Sequence, residues 1–354
     1  MKKILVINPG STSTKFAVYH NEEPIFEKTL RHQGEELAPF ATIASQYAFR
    51  KETILNALEA EGIEIAFDIV VGRGGLLHPL PSGVYEVNDL MRETLLSAKY
   101  GEHACNLGGL IAADIAKSVG CMAVIADPVV VDEMQDVARI SGHPEVPNIS
   151  IFHALNQKAI ARRYAAEVGR DYAELNLIVA HLGGGISVGA HRQGKVVDVN
   201  CALGGNGAFS PERVGTLSAS GLMKLCFSGK YTEQEVKKML IGNGGLMAHL
   251  GVNDAYQVEL RALAGDEKAA LVYNAMAYSI AKEIGAMAAV LKGNIDGILI
   301  TGGIAYDKAF VAYMSEMVGF MAPIKVYPGE DELGALASNG LRVLNGEPCA
   351  QYEA

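Results

Sequence analysis

Cysteine is scarce in this sequence, and no two cysteines stand at the spacing of a metal-binding or redox motif. The 354 residues contain five cysteines and no CxxC: Cys105, Cys121, Cys201, Cys226 and Cys349. The odd number and the irregular spacing argue against a disulfide framework and against a zinc knuckle. A reducing compartment fits this cysteine usage.

Long hydrophobic runs and an excess of positive charge are also missing. No apolar run reaches the ~18 residues of a membrane-spanning helix. The apolar stretch after Lys2 and Lys3 covers only residues 4–7, too short for the core of a signal peptide. The 30 basic and 40 acidic residues give a net charge of −10, which disfavours nucleic acid and anionic membranes as partners. We therefore expect a cytoplasmic protein with neither partner, in which a locally basic site can still bind a small anion.

The common motifs of nucleotide-binding and hydrolytic enzymes are absent or out of context. The chain has no GxGxxG and no HExxH, and its Gly-Lys pairs at 194–195 and 229–230 are followed by Val and Tyr, where a Walker A loop needs Ser or Thr. Residues 185–189 match GxSxG, but a nucleophile elbow requires a strand, a turn and a helix, whereas residues 190–199 are typical of a hairpin. The sequence thus disfavours a Rossmann dinucleotide site, a zinc-protease site, a Walker A phosphate loop and the nucleophile elbow of a hydrolase.

What the sequence does contain is an alternation of β-branched runs and helical patterns. Hydrophobic residues make up 49% of the chain, enough for a buried core, and the length suggests two or three domains of roughly 150 residues. The predicted strands are 4–7, 16–19, 69–71, 122–126, 177–181, 196–199, 297–301 and 324–327. The predicted helices are 51–61, 89–100, 107–119, 154–168, 232–240, 267–291, 307–318 and 333–344. The alternation predicts α/β layers, with the long apolar helix 267–291 buried between layers or at a subunit contact.

A weak internal repeat points to two similar domains. Residues 4–19 and 178–191 both read as a strand, a polar or Gly-rich turn with Ser or Thr, and a second strand. Two such copies predict two domains that face each other across a cleft. A third Gly-rich turn, 301–305, follows a strand and precedes a helix. One such turn alone is more often a plain hairpin, but three together favour phosphate binding by exposed backbone N–H groups.

Several charged or polar residues stand where a strand or a Gly-rich loop ends. Arg73 is flanked by glycines and Arg213 follows a Gly-rich loop, so either could hold a carboxylate or phosphate, or form a structural salt bridge. Asp127 follows a strand, where α/β folds place an acid that orients metal or water. His153 stands at the start of a predicted helix, where it could be an N-cap or a catalytic residue. Lys15 could neutralise a terminal phosphate or remain solvated.

These segments together resemble the acetate and butyrate kinases, within the superfamily that also holds actin, sugar kinases and the Hsp70 ATPase. The resemblance covers essentially the whole chain. Residues 8–15 are similar to the family's opening phosphate loop, residues 181–187 to its second loop and residues 301–305 to its adenosine motif. Residues 73–79 and 210–213 resemble the butyrate or branched-chain acid kinase branch.

The resemblance implies a fold and an assembly. The expected fold is α/β, with two similar actin-like ATPase (ribonuclease H-like) domains flanking a nucleotide cleft. The expected domain I is 1–131 plus 335–354, and the nucleotide-binding domain II is 132–334. A homodimer or higher homo-oligomer is expected.

The resemblance also implies the chemistry, which is the reversible transfer of a phosphoryl group from ATP to a short-chain carboxylate with Mg²⁺, giving an acyl phosphate and ADP. A carboxylic acid is ionised at pH 7, so no base is needed and the enzyme has to align two anions and disperse charge. The catalytic residues implied are Arg73 and Arg213 for the carboxylate and the transferring phosphoryl, His153 for transition-state oxygens and Asp127 for the metal or its waters. The metal is assigned to Asn8 and Glu332, with Glu330 as the alternative. The nucleotide is assigned to Asn8, Ser11, Ser13, Lys15, His181, Gly183, Gly184, Gly185, Gly302 and Gly303.

The acid is expected to be butanoate, with branched-chain, acetate or propionate substrates as alternatives. Gly75 stands where acetate kinases have a valine and Ala104 where they have a leucine, so the resemblance implies a roomier substrate pocket formed by both residues and Phe152. Cys105 stands where acetate kinases carry a second histidine, and Gly184 where their second loop has asparagine. A sugar or glycerol kinase with Asp127 as base, and a non-enzymatic ATPase module, remain open at this point.

Overall fold

The computed structural model describes residues 1–354, which divide into two compact units. The first unit contains Met1–Val131 and Asp331–Ala354, and the second contains Asp132–Glu330. The chain returns to the first unit after Glu330, whereas the sequence analysis placed this boundary after residue 334. Asp331 belongs with the last helix because it is its N-cap, where its side chain accepts a hydrogen bond from Gly334 N at 2.8 Å.

The elements are numbered here along the chain. The strands are β1 (Lys3–Pro9), β2 (Ser13–His20), β3 (Glu23–Arg31), β4 (Ile69–Arg73), β5 (Val84–Glu86), β6 (Met122–Ala126), β7 (Asn176–Leu182), β8 (Ile186–Arg192), β9 (Lys195–Val199), β10 (Gly297–Gly302), β11 (Ile324–Pro328) and β12 (Ala350–Gln351). The helices are α1 (Gly34–Leu37), α2 (Tyr47–Ala60), α3 (Asp89–Leu96), α4 (Asn106–Val119), α5 (Asp136–Arg139), α6 (Ala154–Glu167), α7 (Ala219–Cys226), α8 (Glu233–Leu240), α9 (Gly245–Leu250), α10 (Ala255–Leu263), α11 (Glu267–Val290), α12 (Lys308–Val318) and α13 (Glu332–Leu344).

The first unit is built on a seven-stranded sheet in the order β12-β5-β6-β4-β1-β2-β3. Strand β1 is antiparallel to β2 and parallel to β4, which is parallel to β6. Leu5 and Val70 point to one face and share a core with residues of α4. Ile4 and Val71 point to the other face, where they lie against Gly340 of α13. Because both faces are covered, the central strands are continuous apolar runs rather than alternating ones.

The second unit repeats this topology in a five-stranded sheet with the order β11-β10-β7-β8-β9. Strand β7 is antiparallel to β8 and parallel to β10. In the same way, β1 is antiparallel to β2 and parallel to β4. The internal repeat seen in the sequence therefore corresponds to the same strand-turn-strand unit in both sheets. Helix α11 buries Ile280 and Ile284 in the core that also contains Val188 of β8.

The predicted strand segments all lie within observed strands, and the eight predicted helices all overlap observed ones. The helices that were not predicted are α1, α5, α7, α9 and α10; α1 and α5 are only four residues long, and α7 buries no residue. Although α11 is 24 residues long, no helix combines the length and apolar character needed to cross a bilayer.

Candidate active site

Three predicted site residues of the first unit meet at one edge of its sheet because their strands are parallel. Ile7 of β1 pairs with Gly72 of β4, so Asn8 and Arg73 come next on adjacent strands. Arg73 in turn pairs with the last residue of β6, immediately before Asp127. The carboxyl ends of parallel strands are the usual location of ligand sites in α/β sheets.

Arg73, Asn8 and Glu332 form a hydrogen-bonded cluster at this edge. Arg73 Nη1 forms a short ion pair with Glu332 Oε1 and lies 3.4 Å from Asn8 Oδ1. Asn8 Nδ2 donates to Glu332 Oε2 at 2.6 Å. The side chains of Arg73 and Glu332 are 21% and 17% exposed, so a ligand from solvent can reach them. Within the protein Arg73 hydrogen-bonds through Nη1, and its Nη2–H and Nε–H groups remain as donors for an anion.

The glycines around Arg73 let strand β4 touch helix α4 directly. A Cβ atom at Gly72 would lie 2.3 Å from Gly108 O, and one at Gly108 would lie 2.4 Å from Arg73 O. Gly75 is constrained in the same way, since its Cβ would lie 2.6 Å from Asn106 Cα. The Asn106 side chain also accepts a hydrogen bond from Leu76 N at 2.9 Å. The close backbone contact therefore anchors the segment that carries Arg73.

This packing gives Gly75 a different role from the one that the sequence suggested. Gly75 was assigned to the wall of the substrate pocket, but the space that a side chain would need is filled by Asn106 and by Leu95, whose Cδ2 would lie 2.8 Å from the new Cβ. Ala104, assigned to the same wall, is 2% exposed. The lack of a side chain at position 75 is explained by backbone packing rather than by the size of a ligand.

We expect Gly75→Val to destabilise the first unit and to reduce turnover of every acid by a similar factor. Overpacking of this kind costs about 1–3 kcal/mol, which should appear as a lower Tm in thermal unfolding. Gly34→Ala is the matched control, because a Cβ there has no atom within 4 Å. A variant with wild-type Tm that excludes only the longer acids would show instead that Gly75 lines the pocket.

Asp127 is held in an unusual backbone conformation at the end of β6. Its φ of 37° lies in the left-handed region, which is costly for a residue other than glycine. Asp127 is 1% exposed, and its Oδ1 accepts hydrogen bonds from Ser82 Oγ at 2.6 Å and from Gly83 N at 3.0 Å. Strain at a strand end beside a polar cluster is typical of a functional site.

Cys105 lies directly before α4 and is buried at 3% exposure. Its Sγ is 2.9 Å from His103 Nδ1. Burial raises the pKa of the Cys105 thiol to about 11, and the nearby Arg73 opposes this shift. The side chain is therefore a neutral thiol at pH 7, without the charge that a histidine can carry.

The turn between β1 and β2 is supported by Arg50, a residue that the sequence analysis missed. Arg50 is fully buried on α2. Its Nη1 donates to Gly10 O at 2.7 Å and to Ser13 O at 2.9 Å, and its Nη2 donates to Ser11 O at 2.9 Å. Because these carbonyl groups point toward Arg50, the N–H groups of Ser11 and Thr12 are left without partners in the protein. An exposed pair of amides of this kind can bind an oxyanion.

Arg50 also places a positive charge behind this turn. The guanidinium bonds to carbonyl, amide and hydroxyl oxygens and to no carboxylate. Burial lowers the pKa of Arg50, but an arginine remains charged. One signal could have revealed it, since Arg50 lies on the same face of α2 as the buried Ile54, Ala57 and Leu58. An arginine at an apolar helical position needs buried partners.

In the second unit, the turn between β7 and β8 is packed against Arg213. A Cβ atom at Gly185 would lie 2.1 Å from Arg213 Nη1, so the guanidinium sits directly on the glycine. Arg213 Nη1 donates to Ala202 O, whereas its buried Nε has no hydrogen-bond partner. Burial lowers the pKa of Arg213, with Glu212 opposing the shift. A half-buried, incompletely bonded guanidinium is suited to an anionic ligand.

His153 and His181 are stacked ring on ring in the second unit. Their centroids are 3.8 Å apart and the planes differ by 11°. His153 Nδ1 is 2.8 Å from Ser187 Oγ. His181 Nδ1 is 2.8 Å from Asn156 Oδ1, and its Nε2 is 3.2 Å from Glu330 Oε1. Two histidines that the sequence assigned to different roles therefore share one site.

The third Gly-rich turn follows β10 and requires glycine. Gly302 has φ of 93°, and a Cβ atom there would lie 2.3 Å from Leu182 O. Gly302 and Gly329 exchange backbone hydrogen bonds of 3.1 and 2.9 Å. Beside this turn is a cavity of about 600 Å³, which is large enough for a nucleoside. It is lined by Gly183, Gly184, Pro211, Asn253, Asp254, Ala255, Tyr256, Glu259, Tyr273, Gly303, Ile304, Tyr306, Asp307 and Glu330.

The remaining predicted residues differ in exposure. Lys15 pairs with Asn8 across the β1–β2 hairpin and is exposed. Ser11 is exposed and Ser13 is half-buried. Phe152 is 2% exposed and precedes α6, so its ring is part of the packing of the second unit.

No group of three or more His, Cys, Asp or Glu side chains is placed to hold a metal ion. Glu332 and Asn8 do supply a carboxylate and an amide oxygen, which are the hard donors that Mg²⁺ prefers. Mg²⁺ commonly binds through one or two carboxylates and completes its shell with phosphate oxygens and water. The donor set therefore fits Mg²⁺ that arrives with a phosphate ligand.

A family model and solved structures of similar fold match this chain. The model of the acetokinase family matches residues 150–324. The structure of acetate kinase from Porphyromonas gingivalis is 20% identical and aligns with 97% of this chain and 100% of its own, with a TM-score of 0.78. A propionate kinase from Francisella tularensis is 18% identical, covers 96% of this chain and 99% of its own and has a TM-score of 0.73. The actin-like ATPase fold expected from the sequence is confirmed.

Sequence relatives define the family. Butyrate kinase 2 of Clostridium acetobutylicum is 56% identical over 98% of this chain and 97% of that protein. Butyrate kinase 1 of the same organism is 54% identical over 99% of both chains. The chain therefore belongs to the butyrate kinases of the acetokinase family. It is a carboxylate kinase, as the resemblance predicted.

Proposed function

We propose that this enzyme transfers the γ-phosphoryl group of ATP to butanoate and that the reaction is reversible. The observation that carries the choice of acid is the 54–56% identity to proteins named butyrate kinases over nearly the whole chain. The donors at the ends of the parallel strands support the chemistry, because the reaction needs an anion site and no general base. The butanoate carboxylate is already ionised at pH 7 and acts as the nucleophile itself.

Arg73 is proposed to hold the carboxylate or the transferring phosphoryl. Its Nη2–H and Nε–H groups form a fork that matches two oxygens of either ligand. The ion pair with Glu332 fixes the guanidinium before the substrate arrives. A donor that is already oriented stabilises the developing charge without reorganisation.

Arg213 and His153 are proposed to act on the transferring phosphoryl. Arg213 supplies a positive charge whose hydrogen bonds within the protein are incomplete. His153 begins α6, where its ring is held by Ser187 and by the stacked His181. Both would stabilise the equatorial oxygens of the phosphoryl group, on which charge is spread in the transition state.

The nucleotide is proposed to bind through backbone groups. The free amides of Ser11 and Thr12 and the glycines at 183–185 suit the phosphates. The cavity beside Gly303 suits the adenosine. Glu332 and Asn8 would hold Mg²⁺ together with a phosphate oxygen, and a bound Mg²⁺ neutralises phosphate charge. When Mg²⁺ binds, Glu332 would lose part of its ion pair with Arg73 and would contact the metal ion instead.

The function is tested by trapping the acyl phosphate as a hydroxamate with acetate, propionate, butanoate, isobutyrate and glycerol as acceptors. We expect butanoate to exceed acetate in kcat/KM by roughly tenfold, because two buried methylene groups contribute about 1.6 kcal/mol. No product should form in EDTA. A preference for acetate would contradict the choice of acid. Turnover of glycerol without any acid would contradict the carboxylate reaction and favour a sugar-type kinase with Asp127 as base.

A further inference from the structure

Ser187 lies in the GxSxG segment that the function does not use as a nucleophile. It is fully buried in β8, in a hairpin rather than at a strand-to-helix turn. Its Oγ has three polar neighbours: His153 Nδ1 at 2.8 Å, Gln157 Nε2 at 2.8 Å and the backbone N of His153 at 3.5 Å. A buried hydroxyl beside a site histidine must direct its proton to one of its neighbours.

The orientation of Gln157 follows from its contact with the backbone. Its Nε2 is 3.1 Å from Ser187 O, a carbonyl that can only accept, so this atom is the amide nitrogen. Gln157 Oε1 then accepts from His191 Nε2 at 2.9 Å, and His191 Nδ1 accepts from Tyr172 OH at 2.7 Å. His191 is fully buried, and burial holds its pKa well below the usual value. The donor and the acceptor are therefore determined for each hydrogen bond from Tyr172 through His191 to Gln157.

These contacts leave one arrangement for the Ser187 proton. Gln157 Nε2–H and the His153 backbone N–H both donate to Ser187 Oγ. Of the three neighbours of this hydroxyl, only His153 Nδ1 can accept its proton. The neutral His153 ring therefore carries its own proton on Nε2.

The same network opposes a proton on His153 Nδ1. A second proton there would leave the Ser187 hydroxyl hydrogen without an acceptor in a fully buried position, at the cost of an unsatisfied polar group. The ring plane is fixed separately by the stacked His181 at 3.8 Å. The two contacts together define both the orientation and the tautomer of His153.

We propose that Ser187, held by Gln157, is a positioning residue that keeps His153 in the neutral Nε2–H tautomer. His153 then donates from Nε2 to a phosphoryl oxygen and does not exchange protons through Nδ1. This inference rests on the proposed role of His153 in phosphoryl transfer. It requires no proton transfer, in agreement with a nucleophile that is already ionised.

The tautomer can be measured without activity by NMR of the full-length protein labelled with ¹⁵N-histidine, because the two ring nitrogens have distinct shifts in each tautomer. The His153 signals are assigned by their loss in His153→Gln. We expect Nε2–H in the wild type at pH 7.5 and a mixture or the Nδ1–H form in Ser187→Ala. The kcat of Ser187→Ala should fall about tenfold, as for one lost hydrogen bond, with the KM for ATP within about twofold of wild type.

Ser187→Thr and Ser187→Val form the matched pair, since their side chains have similar shape and differ in the hydroxyl. Thr should retain the Nε2–H tautomer and a larger part of kcat than Val. The proposal would be overturned if the His153 ring of the wild type were doubly protonated or in the Nδ1–H form at pH 7.5. It would also be overturned if the His153 tautomer were unchanged in Ser187→Ala. A shifted tautomer with unchanged kcat would overturn the positioning role. Normal turnover in His153→Gln would instead contradict the role of His153 under the proposed function.

Discussion

Replacing Arg73 with alanine is expected to lower kcat/KM by at least about 10²-fold, or about 2.7 kcal/mol of transition-state stabilisation. The variant removes the two free donors that suit the carboxylate or the phosphoryl. It also leaves Glu332 without the cation to which it is paired. We expect most of the loss in kcat, because the charge on the phosphoryl oxygens is greatest in the transition state. The measurement is steady-state kinetics with butanoate and ATP.

Two further variants separate charge from geometry at this position. Arg73→Lys keeps the charge without the planar fork, so it should recover only part of the activity. Arg92→Ala is the control, because Arg92 is a partly exposed residue of the same unit that pairs with Asp114, and pairs near the surface contribute about 0–1 kcal/mol. Near-normal turnover in Arg73→Ala would refute its catalytic role.

The second large effect is expected from Gly185→Ala. The added methyl would lie 2.1 Å from Arg213 Nη1 and must displace the guanidinium. Because the displaced atom is the end of a flexible side chain, the Tm should change little. We expect kcat/KM to fall by at least about 10²-fold, the loss typical of one electrostatic donor and the same as for Arg213→Ala.

A double variant tests whether the glycine acts through the arginine. Gly185→Ala combined with Arg213→Ala should be no worse than Arg213→Ala alone, because the methyl no longer has a guanidinium to displace. Gly142→Ala is the control, since its Cβ would have no atom within 4 Å. Wild-type kcat/KM in Gly185→Ala would show that catalysis does not require the observed position of the Arg213 guanidinium.

Much of the fold could be predicted because its signals are local. The β-branched runs of β1 and β7, each followed by a Gly- or Ser-rich turn and a second strand, identify the repeated unit that both sheets contain. Arg73 and Asp127 stand at strand ends in the sequence, and parallel pairing brings strand ends to one edge. The family was identified from the same short segments. The roles of individual residues remain predictions until the variants above are measured.

Other features could not be predicted because they depend on residues that are distant along the chain. Arg50 supports the first turn across about 40 positions, and nothing in α2 specifies which carbonyl groups it meets. Gly75 was interpreted as a pocket wall because its packing against Asn106 is visible only in three dimensions. The GxSxG segment was set aside as a decoy, yet its Ser187 contacts His153.

By itself, the sequence determined the α/β class, the repeated strand-turn-strand unit and the membership of an acid kinase family. The class and the repeat follow from hydrophobic periodicity and from glycines, which act on their own neighbourhood, whereas the family follows from the resemblance of short motifs to known enzymes. Only the tertiary structure decided which buried polar atoms meet, as at Arg50 and in the contacts of Ser187 with Gln157 and His153. Each such atom must find a partner once it is removed from water, and the partner is set by packing between elements that the sequence places far apart.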